Sequence, residues 1–171
     1  MYSKNHISKA VILVVSALLF FSFTFRGFEY DEEYNTIIHK SIAKIFDIRN
    51  VLIEEFIANE ESFYMIKQDD IVLGYFIFAQ APSQYHYFDY YIIFNSEAEI
   101  LQIRILEYRE NYGAEICSKN WLANFIHLST NTYSEYNRSI DGISGATISV
   151  NSIKSDVFKV SNILKKAVLD N

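Results

Sequence analysis

Ser62–Tyr108 reads SFYMIKQDDIVLGYFIFAQAPSQYHYFDYYIIFNSEAEILQIRILEY, a nearly unbroken succession of β-branched and aromatic residues interrupted by short polar turns. Such runs favour strands, because branched and aromatic side chains pack well on a pleated surface. Phe63–Lys67 and Ile71–Ala79 flank Gln68-Asp69-Asp70, which predicts a hairpin. Tyr85–Phe94 and Ile100–Tyr108 flank Asn95-Ser96-Glu97-Ala98-Glu99, a second polar turn. Ala81-Pro82-Ser83 breaks the chain between the two pairs. The cluster Tyr85, Tyr87, Tyr90 and Tyr91 is expected on a half-buried sheet face, with packed rings and hydroxyls that need partners.

On the C-terminal side, Tyr108-Arg-Glu-Asn-Tyr-Gly113-Ala-Glu115-Ile116 closes the last strand. It leads into a helix expected over Ser118–Ile126, with Trp121, Leu122 and Phe125 on one side. A loop rich in Ser, Thr and Asn is expected over 129–139. Ile153, Val157, Val160, Leu164 and Val168 then recur at helical spacing and predict an amphipathic helix, with Lys154, Lys159, Lys165 and Lys166 mostly away from its apolar stripe. Sheet and helices together predict the α+β class: a small antiparallel sheet with flanking helices.

Between loop and helix lies Asp141-Gly-Ile-Ser144-Gly145-Ala146-Thr147-Ile-Ser149. Its small residues predict a tight turn that delivers a hydroxyl at a helix start. Gly142 and Gly145 permit positive φ and close backbone approach, and Ser149 or Asn151 can serve as the cap. A helix N-terminus offers unpaired N–H groups and a positive dipole end, which suits an anion and above all a phosphate.

On the N-terminal side, Asp31-Glu32-Glu33 suits a helix start, and Ile38, Ile42, Ile45, Phe46, Ile53, Phe56 and Ile57 recur at helical spacing. One helix or two short ones are expected over 31–57. Ala10–Phe25 carries no charge; at about 1.5 Å per residue its sixteen residues fall slightly short of a ~30 Å hydrocarbon core. Lys4 and Lys9 precede it and Glu29, Asp31, Glu32 and Glu33 follow. The positive-inside bias therefore places the N-terminus in the cytoplasm and the body on the extracytoplasmic side of the cell membrane. A cleaved signal peptide would export the body equally, but bulky Phe23-Thr24-Phe25-Arg26 offers no small-residue cleavage site. The expected organisation is a cytoplasmic N-terminus at 1–9, a transmembrane anchor at 10–26, a helical membrane-proximal segment at 27–60 and the main domain at 61–171.

Net charge is −6, yet residues 1–26 carry three basic side chains and no acid, leaving 12 basic against 21 acidic in the body. An acidic body is a poor partner for nucleic acid. One cysteine, Cys117, excludes an intramolecular disulfide framework. His6, His39, His86 and His127 lack ligand spacing and predict no metal site. No nucleophilic triad, P-loop or dinucleotide fingerprint is present, and no acid–base pair argues for an enzyme with its own substrate.

Asp141-Gly-Ile-Ser-Gly-Ala-Thr147 resembles the D-x-x-[ST]-G-A-[ST] flavinylation motif of FMN-binding domain proteins. These include the FMN-bearing subunits of the Rnf complex and of the sodium-pumping NADH:quinone reductase. Tyr108–Ile116, followed by Trp121-Leu and Phe125, is similar to the strand-to-helix segment lining the flavin in that family. Glu110-Asn-Tyr-Gly113 stands where many members have Glu-Thr-Pro-Gly. The resemblance spans about residues 70–168.

It implies that a flavin transferase, using FAD and Mg²⁺, attaches FMN through its phosphate to the Thr147 hydroxyl. Asp141, Ser144, Gly145 and Ala146 fill the other motif positions, and Glu110 and Gly113 lie near the cofactor. The function so implied is electron transfer with redox partner proteins by a membrane-anchored, extracytoplasmic carrier. A subunit of a larger Rnf- or quinone-reductase-like complex, or a non-redox binding module on the same scaffold, are the alternatives.

Overall fold

The computed structural model describes residues 32–126 and 133–170. The chain divides between Asn35 and Thr36, and of the N-terminal unit only residues 32–35 are described. The anchor expected at 10–26, with its flanks, lies outside the described residues, as does His127. Among the described residues no helix is long and apolar enough to cross a membrane.

The fold is α+β. Helix α1 (Glu32–Phe46) precedes five strands: β1 (Leu52–Ala58), β2 (Glu61–Gln68), β3 (Ile71–Pro82), β4 (Tyr87–Asn95) and β5 (Ile100–Glu107). They form one antiparallel sheet in chain order, a simple meander. A 3₁₀ turn (Ala114–Cys117), α2 (Lys119–Leu122), a second 3₁₀ turn (Ala123–Phe125), α3 (Tyr133–Ser139) and α4 (Thr147–Leu169) complete the chain.

The helical expectation for 27–60 is corrected after Phe46. Asp47 adopts a left-handed φ of 54°, and the Ile48 N–H donates to the Ala43 carbonyl at 3.1 Å. This closes α1 as a Schellman motif without a glycine. Leu52–Ala58 is instead the edge strand β1, in register with β2 from Leu52↔Lys67 to Ala58↔Glu61. Its connection to β2 places Asn59 and Glu60 at φ 47° and 68°, the paired left-handed values of a type I′ hairpin. The polar stretch expected as loop to residue 139 likewise holds α3, whose Tyr136 is buried against Phe125 and Phe158.

Strand β4 lies between β3 and β5 and is buried on both faces, which corrects the half-buried expectation. Phe88, Tyr90, Ile92 and Phe94 join the main core with Ile153, Val157, Val160 and Leu164 of α4. Tyr91 and Ile93 alternate to the other face, where the Tyr91 hydroxyl lies 2.8 Å from Ser41 Oγ of α1. Tyr85 and Tyr87, by contrast, are exposed. Pro82 pairs with Tyr87 beyond the end of the β2–β3 ladder, an edge position where a missing N–H is tolerated.

Helix α4 keeps the expected stripe, with Val168 only partly buried. Lys154 departs from the prediction. It is buried, and its ammonium donates to the carbonyls of Ile140 at 2.5 Å and Asn137 at 3.1 Å, tying α4 to the C-terminal end of α3. Burial pulls its pKa down, opposed by the charge of Asp141.

Candidate functional site

Three segments meet at one end of the sheet. They are the β3–β4 turn at 83–86, the Tyr108–Gly113 segment after β5, and the N-terminus of α4. Between them is an open cleft of about 330 Å³, lined by Ser83, Gln84 and Tyr85 from the first, Tyr108, Glu110 and Tyr112 from the second, and Gly145–Ser149 from the third.

Ser149 joins the segments. Its buried hydroxyl lies 2.7 Å from Ser83 Oγ and 3.0 Å from the Tyr108 hydroxyl. Ser152, one turn along α4, donates to the Pro82 carbonyl at 2.5 Å. The Tyr108 ring packs edge-on against Phe88 of the core, so the cleft floor is anchored in the sheet. Helix α4 is thus bolted at its first turn to the end of β3 and, through Tyr108, to the end of β5.

The turn before α4 closes through the Ala146 N–H donating to the Ile143 carbonyl at 3.2 Å. Gly145 takes φ +79° at its third position, a left-handed value that glycine accepts without strain. Gly142 has no positive φ, and a side chain there would meet nothing, so the expected conformational need falls on Gly145 alone.

The helix starts at Thr147, three residues earlier than a Ser149 cap would place it. Its N-cap is Ala146, and no side chain caps the helix. The first-turn N–H groups that a helix cannot satisfy internally belong to residues 147–149, which line the cleft, and Thr147 is exposed.

Gly113, at φ +76°, is packed so closely against Ala146 that a Cβ there would lie 2.4 Å from the Ala146 Cβ. This contact seats the Tyr112 segment on the helix start, and it requires both the glycine and the small alanine.

Glu110 does work of a different kind from that expected of a residue touching a cofactor. Its Oε1 accepts from the backbone N–H of Tyr85 at 2.8 Å and of His86 at 3.0 Å. The Tyr85 N–H chiefly, with the His86 N–H, the Ser83 hydroxyl and the nearby His86 charge, holds its carboxyl below the ordinary glutamate value despite opposing desolvation. The carboxylate clamps the β3–β4 turn.

Thr147, Gly145, Ala146 and Glu110 line the cleft, and Gly113 packs behind it. Asp141 and Ser144 are exposed and do not line it. Asp141 is fixed by its backbone, whose carbonyl accepts from Trp121 Nε1 at 3.0 Å. Ser83 is the site-builder that the sequence reading missed; Tyr108 and Ser149 lie in stretches it singled out, but their hydrogen bonds to one another and to Ser83 were not foreseen. Only the polarity of Ser149 on an otherwise apolar helix stripe signals them in the sequence.

A shelf of unpaired helix N–H groups beside an accessible hydroxyl, with an open aromatic cleft alongside, fits a ligand with a phosphate at one end and a flat ring at the other. Residues 88–160 match the family model of the FMN-binding domain. The match takes in both the Glu110–Gly113 segment and the Thr147 turn. No curated protein matches the chain.

Proposed function

We propose that this protein carries FMN covalently, through a phosphoester to Thr147, and passes electrons between redox partner proteins. The observation that carries the reading is the placement of Thr147. It is the exposed first residue of a 23-residue helix without a side-chain cap, opening on the cleft within the FMN-binding match.

The chain's own groups suit that task. The first-turn N–H groups and the positive end of α4 would hold the phosphate. Gly145 keeps the approach to Thr147 open, and the Gly113–Ala146 contact fixes the opposite wall. In attachment, the Thr147 hydroxyl attacks the FMN-side phosphorus of FAD, held with Mg²⁺ by a flavin transferase. The Oγ–P bond forms, the pyrophosphate bridge breaks, AMP leaves and the hydroxyl proton passes to a base on the transferase. Asp141 and Ser144 are exposed, which leaves them available for recognition by the transferase. When bound, the flavin supplies the redox chemistry, while the protein supplies position and electrostatics.

The reading includes a single-pass anchor at 10–26 and an extracytoplasmic domain, supported by the apolar run and its flanking charges. A phosphoester is useful in that setting, because flavin held only by contacts and lost outside the cell could not be replaced from the cytoplasmic pool.

Co-expression with a flavin transferase tests it. The denatured wild-type band should fluoresce as flavin in a gel, and the band from cells lacking the transferase should not. A colourless wild-type protein in the presence of an active transferase would contradict the reading.

A further inference from the structure

Two tyrosines on the cleft are exposed beyond any need of the fold. Tyr85, in the β3–β4 turn, is 80% exposed and Tyr112, beside Gly113, is 79% exposed. Tyr90 and Tyr91 of the neighbouring strand are fully buried, and Tyr108 packs on Phe88. A large aromatic surface left in water at the rim of a cleft marks a binding surface rather than a core.

The backbone carrying both rings is nonetheless held in place. Tyr85 and Tyr112 come from separate segments yet line the same cleft as Thr147. Glu110, two residues before Tyr112, accepts from the Tyr85 backbone N–H at 2.8 Å, so one carboxylate links the two segments. Gly113 packs against Ala146, so the Tyr112 segment is fixed relative to the residue preceding Thr147. The backbone under each tyrosine is thereby positioned while the side chain stays free to meet a ligand.

We infer that Tyr85 and Tyr112 form the stacking surface for the isoalloxazine ring, with Glu110 and Gly113 as the residues that position them. The inference rests on the reading that FMN is attached at Thr147, and it assigns the other end of the cofactor. A tyrosine ring is a flat, electron-rich partner for a flat heteroaromatic system, and such stacking needs no directional hydrogen bond. It suits a tethered cofactor, because the phosphoester fixes one end and the rings restrain the other without covering it from redox partners.

Riboflavin, which has the ring but no phosphate, separates this inference from covalent attachment. The full chain, produced without transferase, is titrated into riboflavin while quenching of the flavin fluorescence is followed. Saturable quenching is expected for the wild type. Tyr85→Leu and Tyr112→Leu should each weaken the apparent affinity about tenfold, the loss of one aromatic stack. Tyr85→Phe and Tyr112→Phe, which keep the ring, should retain it. Both positions are exposed, and unchanged circular dichroism will verify that the leucine variants fold. Absence of saturable quenching by the wild type, or leucine variants that bind like wild type, would overturn the inference. The mass of the Thr147 peptide from protein made with the transferase reports on attachment alone, so the two readings fail separately.

Discussion

Helices α2 and α4 begin in opposite ways. The four-residue α2 is capped by Ser118, whose hydroxyl accepts from the Trp121 N–H at 3.2 Å. The 23-residue α4, the longest described helix, begins at Ala146 with no side-chain cap. Capping contributes about 1 kcal/mol, so a long helix packed on the core can forgo it more easily than a short one. What α4 forgoes in a cap it gains in available N–H donors beside Thr147. A helix start that serves stability satisfies its own donors, and one that serves a ligand leaves them open.

The largest contrast expected between the two starts is in flavin content. Thr147→Ala should abolish flavin fluorescence completely while changing stability by no more than about 0.5 kcal/mol, since the side chain is exposed and caps nothing. Thr147→Ser, which keeps a hydroxyl, should retain the adduct. If Thr147→Ala unfolds the domain, the threonine is structural and the contrast fails.

Gly113→Ala should cost about 3 kcal/mol, from a left-handed backbone and an overlap with Ala146, and should lower flavin loading. Denaturant unfolding and loading per mole of protein measure the two effects. Equal loading would show that the Gly113–Ala146 contact does not shape the site.

Ser149→Ala removes the buried hydroxyl shared with Ser83 and Tyr108 and should cost about 2 kcal/mol in thermal or denaturant unfolding. Ser118→Ala should cost about 1 kcal/mol and leave flavin loading untouched, the reverse of Thr147→Ala.

The smallest effect is a pH response of the Glu110 clamp. Its pKa is lowered in the folded protein, so the clamp is fully present above the ordinary glutamate value of 4.5 and is lost as pH falls through the depressed folded value. The Tyr85 and His86 amide NMR signals should titrate with a midpoint below 4.5. Glu110→Gln should remove that titration, and a midpoint at or above 4.5 would contradict the clamp.

Strands β2–β5 were legible because their turn signals and branched runs agree. Strand β1 was not, because Ile53, Phe56 and Ile57 fit a helical spacing by chance on an edge strand where alternation is weak. Glycine scarcity also hid the boundaries. Asp47, Asn59, Glu60, Asp69 and Ala98 take left-handed turns where glycine would have announced a break. The motif turn was legible through Gly145, Ala146 and Thr147, whereas Gly142 looked alike in sequence and has no such role.

Glu110 stood out in the sequence and lines the cleft, but its clamp was not legible, because its partners are backbone N–H groups about 25 residues away. Long-range hydrogen bonds of this kind have no local sequence pattern. The contacts of Ser83 and Tyr108 with Ser149 were hidden for the same reason: only the folded meander brings them together.

The most direct test of the central claim is the mass of the tryptic peptide containing Thr147, from protein produced with an active flavin transferase. The account predicts a peptide heavier by FMN less one water, with fragment ions placing the addition on Thr147. The same peptide at its unmodified mass, or the addition on Ser144 or Ser149, would contradict it.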